Sequence, residues 1–226
     1  VHPTGQAVAG PAEPSRPYHH GRLREALIEA GLELTRTGGP AALGLREVTR
    51  RVGVSPNAAY RHFADRGALL AAVAGRVQQA MADRMTATDH ADAGARRRDP
   101  AVRAVARLRA VGLGYIGFAL DHPGWFDLAF AGPVLEAART ARPEEVAPPY
   151  AALVAALDAL VTAGALEPEH RPGAEWPCWS AVHGFAVLAV HGPLAGRPAV
   201  ECDLLAARTV DAVIAGLPLR TTSTRG

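Results

Sequence analysis

Leu45-Arg46-Glu47-Val48-Thr49-Arg50-Arg51-Val52-Gly53-Val54-Ser55-Pro56-Asn57-Ala58-Ala59-Tyr60-Arg61-His62-Phe63 reads as two short helices hinged at a glycine. Leu45, Val48 and Val52 recur at helical spacing, and Gly53 stands where the first helix must end and the chain must turn. Ser55 offers a side-chain oxygen to the free N–H groups of a new helix, and Pro56 takes the first helical position, where no N–H is needed. Helix, glycine turn and capped second helix together make a helix-turn-helix pattern.

The second helix divides its faces. Ala59 and Phe63 are four residues apart and are expected to pack inward on Val48 and Val52, while Asn57 and Arg61 point outward. Asn can pair bidentately with adenine and Arg with guanine in the major groove, each good pair giving roughly 1–3 kcal/mol of discrimination. Tyr60 and His62 flank that face with donors suited to phosphate oxygens, which orient a protein on DNA without reading sequence. The competing interpretation of the same pattern is a surface hairpin in a helical bundle.

The wider context favours DNA. Tyr18-His19-His20-Gly21-Arg22-Leu23-Arg24-Glu25-Ala26-Leu27, then Leu34, Gly38-Gly39-Pro40, the hairpin, Ala64-Asp65-Arg66, Leu69 and Leu70 follow in an order that resembles the amino-terminal DNA-binding domain of the TetR family of bacterial regulators. The resemblance runs from Tyr18 to Val77, and its most specific part is the Gly-Val-Ser turn followed by Tyr-Arg-His-Phe. It implies that Tyr60 and His62 contact phosphates, that Ser55, Pro56, Asn57 and Arg61 face the groove, and that Arg66 reaches the backbone from the next helix, with Arg46 a further contact. Three positions depart from the family pattern: Gly44 replaces a Ser or Thr cap, Ala59 a Leu, and Gly67 an acidic residue. None of them removes a proposed DNA contact, and Asp65 still caps the helix that follows.

Charge agrees with a basic head on a mildly acidic body. The net charge of the 226 residues is only +2. Residues 1–85, however, carry 11 Arg and 7 acidic residues, a net of +4, and residues 86–226 carry 13 Arg and 15 acidic residues, a net of −2. That asymmetry is the footprint of a chain that approaches DNA by one end. With 49% hydrophobic residues the chain can build a core without staples. Only Cys178 and Cys202 are present, with no CxxC pair and no secretory signal, so two buried free thiols in a reducing cytoplasm are expected. Every apolar run is interrupted by Gly, Pro, Arg or Asp, which argues against a membrane span.

The expected organisation is a flexible arm over residues 1–17, a helix-turn-helix domain over 18–65, a connecting helix over 66–85, and a ligand-binding and dimerisation domain over 86–226. Arg16 in the arm and Arg96-Arg97-Arg98 near the second break are read as solvated. Stripes at Leu23, Leu27, Ala30 and Leu34, at Leu69, Val73, Val77 and Met81, and at Val105, Leu108, Gly112, Tyr115 and Ala119 have helical period. Further helices are expected from Tyr150 to Leu160, from about Gly173 to Val190, and from Val200 to Ala215. With no alternating β-branched run, the fold is expected to be all-α: a three-helix head and a carboxyl-terminal helical bundle.

Trp179-Ser180-Ala181-Val182-His183-Gly184 is similar to a Trp-x-x-x-His-Gly signature in one TetR subgroup, and Asp121-His122-Pro123-Gly124-Trp125-Phe126 fits that subgroup too. Two readings of the aromatic residues stay open. Tyr115, Phe118, His122, Trp125, Phe126, Trp179 and His183 either line an apolar pocket for a small molecule, with His183 supplying a hydrogen bond, or are core. No metal-ligand spacing, P-loop or GxSxG occurs, so neither cofactor nor enzymatic activity is expected; an enzyme would have to use His183 as base and Cys178 as nucleophile.

The function expected is that of a repressor released from a palindromic operator by a small apolar effector. One recognition helix spans few base pairs, so a homodimer must present two, about 34–36 Å or a multiple apart. Gly184, Ala189, Ala206 and Ala207 are small enough for close packing between subunits. The alternative is a helical dimer whose carboxyl-terminal domain binds only a protein partner.

Overall fold

A computed structural model describes residues 20–87, 99–132, 134, 136 and 146–220. The expected arm, Arg16, and the Arg96–Arg98 run lie outside the described residues. The helices are α1 (His20–Gly38), α2 (Leu45–Val52), α3 (Pro56–Tyr60), α4 (Arg66–Thr86), α5 (Pro100–Asp121), α6 (Pro123–Ala129), α7 (Pro148–Thr162), α8 (Glu175–Val190) and α9 (Ala199–Ala215). Short 3-10 turns at Pro40–Ala42 and Pro168–His170 join two pairs of them. The only β pairing among the described residues is a single bridge between Leu166 and Leu219. The fold is all-α, as the periodicities require.

The head is α1, α2 and α3 closed over the first turns of α4. Leu27, Val48, Ala59, Phe63 and Leu69 are buried together there. Ala59 lies in α3, which ends at Tyr60, and Phe63 follows just beyond it, so the expected inward pair meets the inward residues of α2 although only one of the two is helical. Gly53 ends α2 with φ 76° and ψ 32°, the left-handed conformation that an L side chain resists, and its N–H reaches the carbonyls of Arg50 and Thr49. Ser55 does occupy the cap of α3, but its side chain makes no capping bond. Pro56 has already removed one N–H from that end, and the Ser55 carbonyl accepts from Ala58 at 3.0 Å. Asp65 caps α4 in full, its Oδ1 accepting from the Ala68 N–H at 2.8 Å. Asp65→Ala is therefore expected to cost about 1 kcal/mol. Ser55→Ala should cost less than about 0.5 kcal/mol. Urea melts should show a lower midpoint for the first with unchanged slope.

In the body, α5 is the axle, packed against α4, α7, α8 and α9. Three glycines allow this. A Cβ at Gly114 would lie 2.7 Å from Met85 Cα and 2.9 Å from the Arg84 carbonyl oxygen, so α4 and α5 touch backbone to backbone. Gly112 faces Val210 of α9 and Val182 of α8, and Gly117 faces the Arg84 guanidinium. His122-Pro123 breaks α5 and starts α6, a seven-residue helix wedged against α1, α4 and α5. No helix among the described residues is long and apolar enough to cross a membrane.

Candidate nucleic-acid interface and ligand cavity

The outer face of the hairpin is polar and unencumbered. Ser55, Pro56, Asn57, Tyr60 and Arg61 are exposed, His62 is half-buried, and Arg46 is exposed at the start of α2. Pairing sorts the arginines of the hairpin. Arg50 donates to Glu47 at 2.6 and 3.0 Å, and Arg51 pairs with Glu33 of α1 at 3.1 Å. The same bond draws the Glu47 carboxyl below its ordinary range. Arg46, Asn57 and Arg61 have no side-chain partner among the described residues, so the groups suited to bases and phosphates are the ones left uncommitted.

Arg66 is placed otherwise than expected. Its guanidinium donates from Nε to the Leu43 carbonyl at 2.6 Å and from Nη2 to the Pro40 carbonyl, which pins the α1–α2 connection to the start of α4. The planar fork satisfies both carbonyls at once. Arg66 thus helps to hold the hairpin in place. Arg76 does similar work further along α4, bridging Glu25 and Glu29 of α1 at 2.9 and 3.0 Å.

The aromatic residues fall into two groups rather than one pocket. Tyr115, Phe126, Trp179 and His183 form the first, joined by Phe130, whose ring lies 4.8 Å from His183. Tyr115 is fully buried, and its hydroxyl shares a 2.8 Å hydrogen bond with His183 Nδ1. Phe118, His122 and Trp125 form the second group, at the junction of α5 and α6 with the head. There Trp125 Nε1 donates to the Leu32 carbonyl of α1 at 2.9 Å, and Arg36 lies over the Trp125 ring at 5.7 Å. Phe118, His122 and Trp125 therefore tie the body to the head.

A cavity of about 20 Å³ lies beside the first group, and it is bounded by Tyr115, Leu108 and Val111 of α5. Met85 of α4 and Leu153 of α7 close two sides; Cys178, Trp179 and Val182 of α8, and Val210, Val213 and Ile214 of α9, close the others. Of the seven expected pocket residues, only Tyr115 and Trp179 line it. His183 and Phe126 stand behind them. The volume is room for about one water. Burial pushes the Cys178 thiol up, the opposite of what a nucleophile requires. Both cysteines are free and buried. No group of three or more potential metal ligands gathers among the described residues.

Burial also pushes the His183 imidazole below its ordinary range. An unfolded His takes a proton near pH 6.5, before the folded one does, so the folded state loses ground as pH falls through that value. Stability measured between pH 7 and 5 should drop more steeply for the native chain than for His183→Leu.

The expected dimer-facing residues divide as well. Ala189 and Ala206 are buried within the chain. Gly184 is exposed with open space around it, and Ala207 is half-buried. Sequence reasoning selected for small size, and exposed apolar residues stand beside Gly184 and Ala207. Val187 and Leu188 on α8, and Val200 and Leu204 on α9, are 39%, 47%, 81% and 52% exposed. Their spacing, with Gly184 one turn before Leu188 and Ala207 one turn after Leu204, was the available signal.

A helix-turn-helix head carried on an all-helical body defines a class of two-part DNA-binding regulators. Residues 27–73 match the model described as bacterial regulatory proteins, tetR family, and residues 108–213 match that of the tetracyclin repressor-like C-terminal domain. The head and most of the body are thus similar to the two halves of TetR-family regulators. A protein of unknown function from Rhodococcus sp. RHA1 is similar over 90% of this chain and 99% of its own, with 28% identity and a TM-score of 0.66. A TetR-family transcriptional regulator from Pectobacterium atrosepticum shares the fold over 90% and 97% at 19% identity and TM-score 0.59. A TetR variant from Acinetobacter baumannii AYE in complex with minocycline does so over 84% and 93% at 21% identity and TM-score 0.57. No curated protein matches the chain.

Proposed function

We propose that this protein is a transcriptional repressor that binds a palindromic operator as a homodimer in the cytoplasm and is released by a small apolar effector. Residues 18–65 act as the DNA-binding head, 66–85 as the connecting helix, and 86–226 as the ligand-binding and dimerisation domain. The observation that carries the reading is the uncommitted row of Arg46, Asn57, Tyr60 and Arg61 on a hairpin whose other arginines are all paired. Similarity of the head and of most of the body to TetR-family models supports it, since TetR-family proteins bind DNA and small ligands as dimers. The apolar face of α8 and α9 supplies the subunit contact, and two heads then meet two half-sites.

Release follows from two contacts between cavity and head. Met85, in the last turn of α4, lines the cavity, so a ligand that widens it presses on the helix that carries the head. The second contact is α6, held to α1 through Trp125 and to the end of α8 through a 2.6 Å bond between Asp127 and His191. A coupling of about 1–3 kcal/mol changes operator affinity roughly 5- to 150-fold. Of the Trp179–His183–Gly184 signature, Trp179 lines the cavity and His183 supports Tyr115 from behind it. The smallness of the cavity favours one alternative, a helical dimer whose carboxyl-terminal domain binds only protein.

Selection of bound DNA from a random pool, at a stated salt concentration, tests the first half. An enriched palindrome is expected. A folded, dimeric protein that enriches nothing would return the hairpin to a structural role.

A further inference from the structure

His122 is the hinge between α5 and α6, and its backbone is committed to both. Its N–H donates to the Phe118 carbonyl at 2.9 Å, closing α5, and its carbonyl accepts from the Phe126 N–H at 2.9 Å, opening α6. Only the side chain is left to respond to a change of conditions. The half-buried imidazole lies against Phe118 and Trp125, with ring centroids 5.1 and 4.9 Å away. Trp125 in turn donates to the Leu32 carbonyl of α1, so this ring stands behind the contact that joins α6 to the head.

Nδ1 of the imidazole is buried and has no hydrogen-bond partner among the described residues. A neutral ring tolerates that by keeping its proton on Nε2 and burying only a lone pair. A protonated ring carries an N–H on both nitrogens. Acid therefore creates a buried donor with no acceptor, on a group that has also become a cation, and both changes are costly away from water.

The neighbouring charges give little relief. Arg36 of α1 lies over the Trp125 ring at 5.7 Å and so occupies the face that would otherwise attract a second cation. Arg84 of α4 stands against Gly117 of α5 and is paired with Asp121 at 2.8 Å, which engages the one carboxylate next to His122. Asp127 of α6 is bonded to His191 beyond the end of α8. Burial first, and then Arg36, hold the His122 imidazole below its ordinary range against the pull of Asp121. A ring turned out to water takes its proton near pH 6.5. The packed ring binds fewer protons than the released one, so the packed junction is fully favoured above about pH 6.5 and loses ground as pH falls through that value.

We propose that His122 makes the junction between head and body acid-sensitive: protonation turns its ring out from between Phe118 and Trp125, loosens α6 from α1, and lowers the operator affinity of the folded dimer. This rests on operator binding by the head and requires no ligand in the cavity.

The test has two parts. Operator affinity is measured by anisotropy at constant ionic strength, about one pH unit above and about one below the ordinary His value, for the native protein and for His122→Phe, which keeps a ring that cannot titrate. Melts and sedimentation at both pH values verify the folded dimer. His62, His183 and His191 are present in both proteins, so their effects cancel in the comparison. Acid should cost the native protein roughly 5-fold or more in affinity beyond any loss in His122→Phe. The second part is an NMR titration of the native protein without DNA. The protection of the Trp125 Nε1–H against solvent exchange, relative to a free indole at the same pH, should fall as His122 gains its proton, with a His122 midpoint below about pH 6.5.

Equal acid losses in the two folded proteins would overturn the proposal. So would a Trp125 N–H that stays protected while His122 titrates, or a His122 midpoint at or above about pH 6.5. If His122→Phe does not fold, the native titration decides alone. A protein that selects no DNA at either pH would remove the operator reading and the affinity effect with it, while the Trp125 signal would still decide whether His122 opens the junction.

Discussion

Arg61→Ala is expected to weaken binding to the selected operator by roughly 30- to 25,000-fold while leaving fold and dimer unchanged. A bidentate contact to a base contributes about 1–3 kcal/mol, and a twofold dimer makes it twice. Stability should move by less than about 0.5 kcal/mol, because Arg61 is exposed and has no partner among the described residues. The segment is held in place by buried Ala59 in α3 and buried Phe63 just beyond it. Fluorescence anisotropy on the operator, with sedimentation to verify the dimer, measures this. Unchanged affinity would remove Arg61 from the interface. A loss that is uniform across DNA sequences and accompanied by a shallower salt slope would make it a phosphate contact instead. Arg50→Ala is the control, since that guanidinium is already bound to Glu47.

The hairpin could be read from sequence because its signals are local. A glycine needed for a left-handed turn, a proline at a first helical position and inward residues four apart act within one or two turns of chain, and all of them hold in the fold. The Ser55 cap was misjudged because residue preference says who stands at a cap, not which hydrogen bond the side chain makes. Arg66 was misplaced for a related reason: its acceptors, Leu43 and Pro40, are more than twenty residues away, and an exposed arginine looks the same in sequence whether paired or free.

The body was readable as helices and hardly at all as a site. Long stripes identify α4, α5 and α7 to α9, but α6 has seven residues, too few to display a period, and its sequence was taken for a motif. The aromatic residues were grouped because they share chemistry. In space they serve two purposes: Tyr115 and Trp179 on the cavity, and Phe118, His122 and Trp125 on the junction with α1. Ala189 and Ala206 illustrate the same limit, since a small residue permits close approach between helices of one subunit as readily as between two.

Gly124→Ala, at the start of α6, is expected to reduce operator affinity about 10- to 100-fold without any effector. A Cβ there would lie 2.5 Å from the Thr35 carbonyl oxygen and 2.6 Å from that of Arg36, and neither is the end of a flexible side chain. The two backbones must separate. Overpacking of this kind costs roughly 1–3 kcal/mol, of which the better helix propensity of Ala offsets up to about 1 kcal/mol. The displacement falls on α1, because α6 is retained on its other sides by the bond from Gln78 Nε2 to the Ala129 carbonyl at 3.1 Å and by the Asp127–His191 pair. The end of α1 carries Leu32 and Arg36, the partners of Trp125, so the head tilts with it. Anisotropy on the operator and a thermal melt separate the possible results. A lower melting temperature with reduced operator affinity in the folded dimer places α6 on the path between cavity and head. A lower melting temperature with full affinity would confine the α1–α6 contact to stability, and the signal would then have to pass through Met85 and α4 alone.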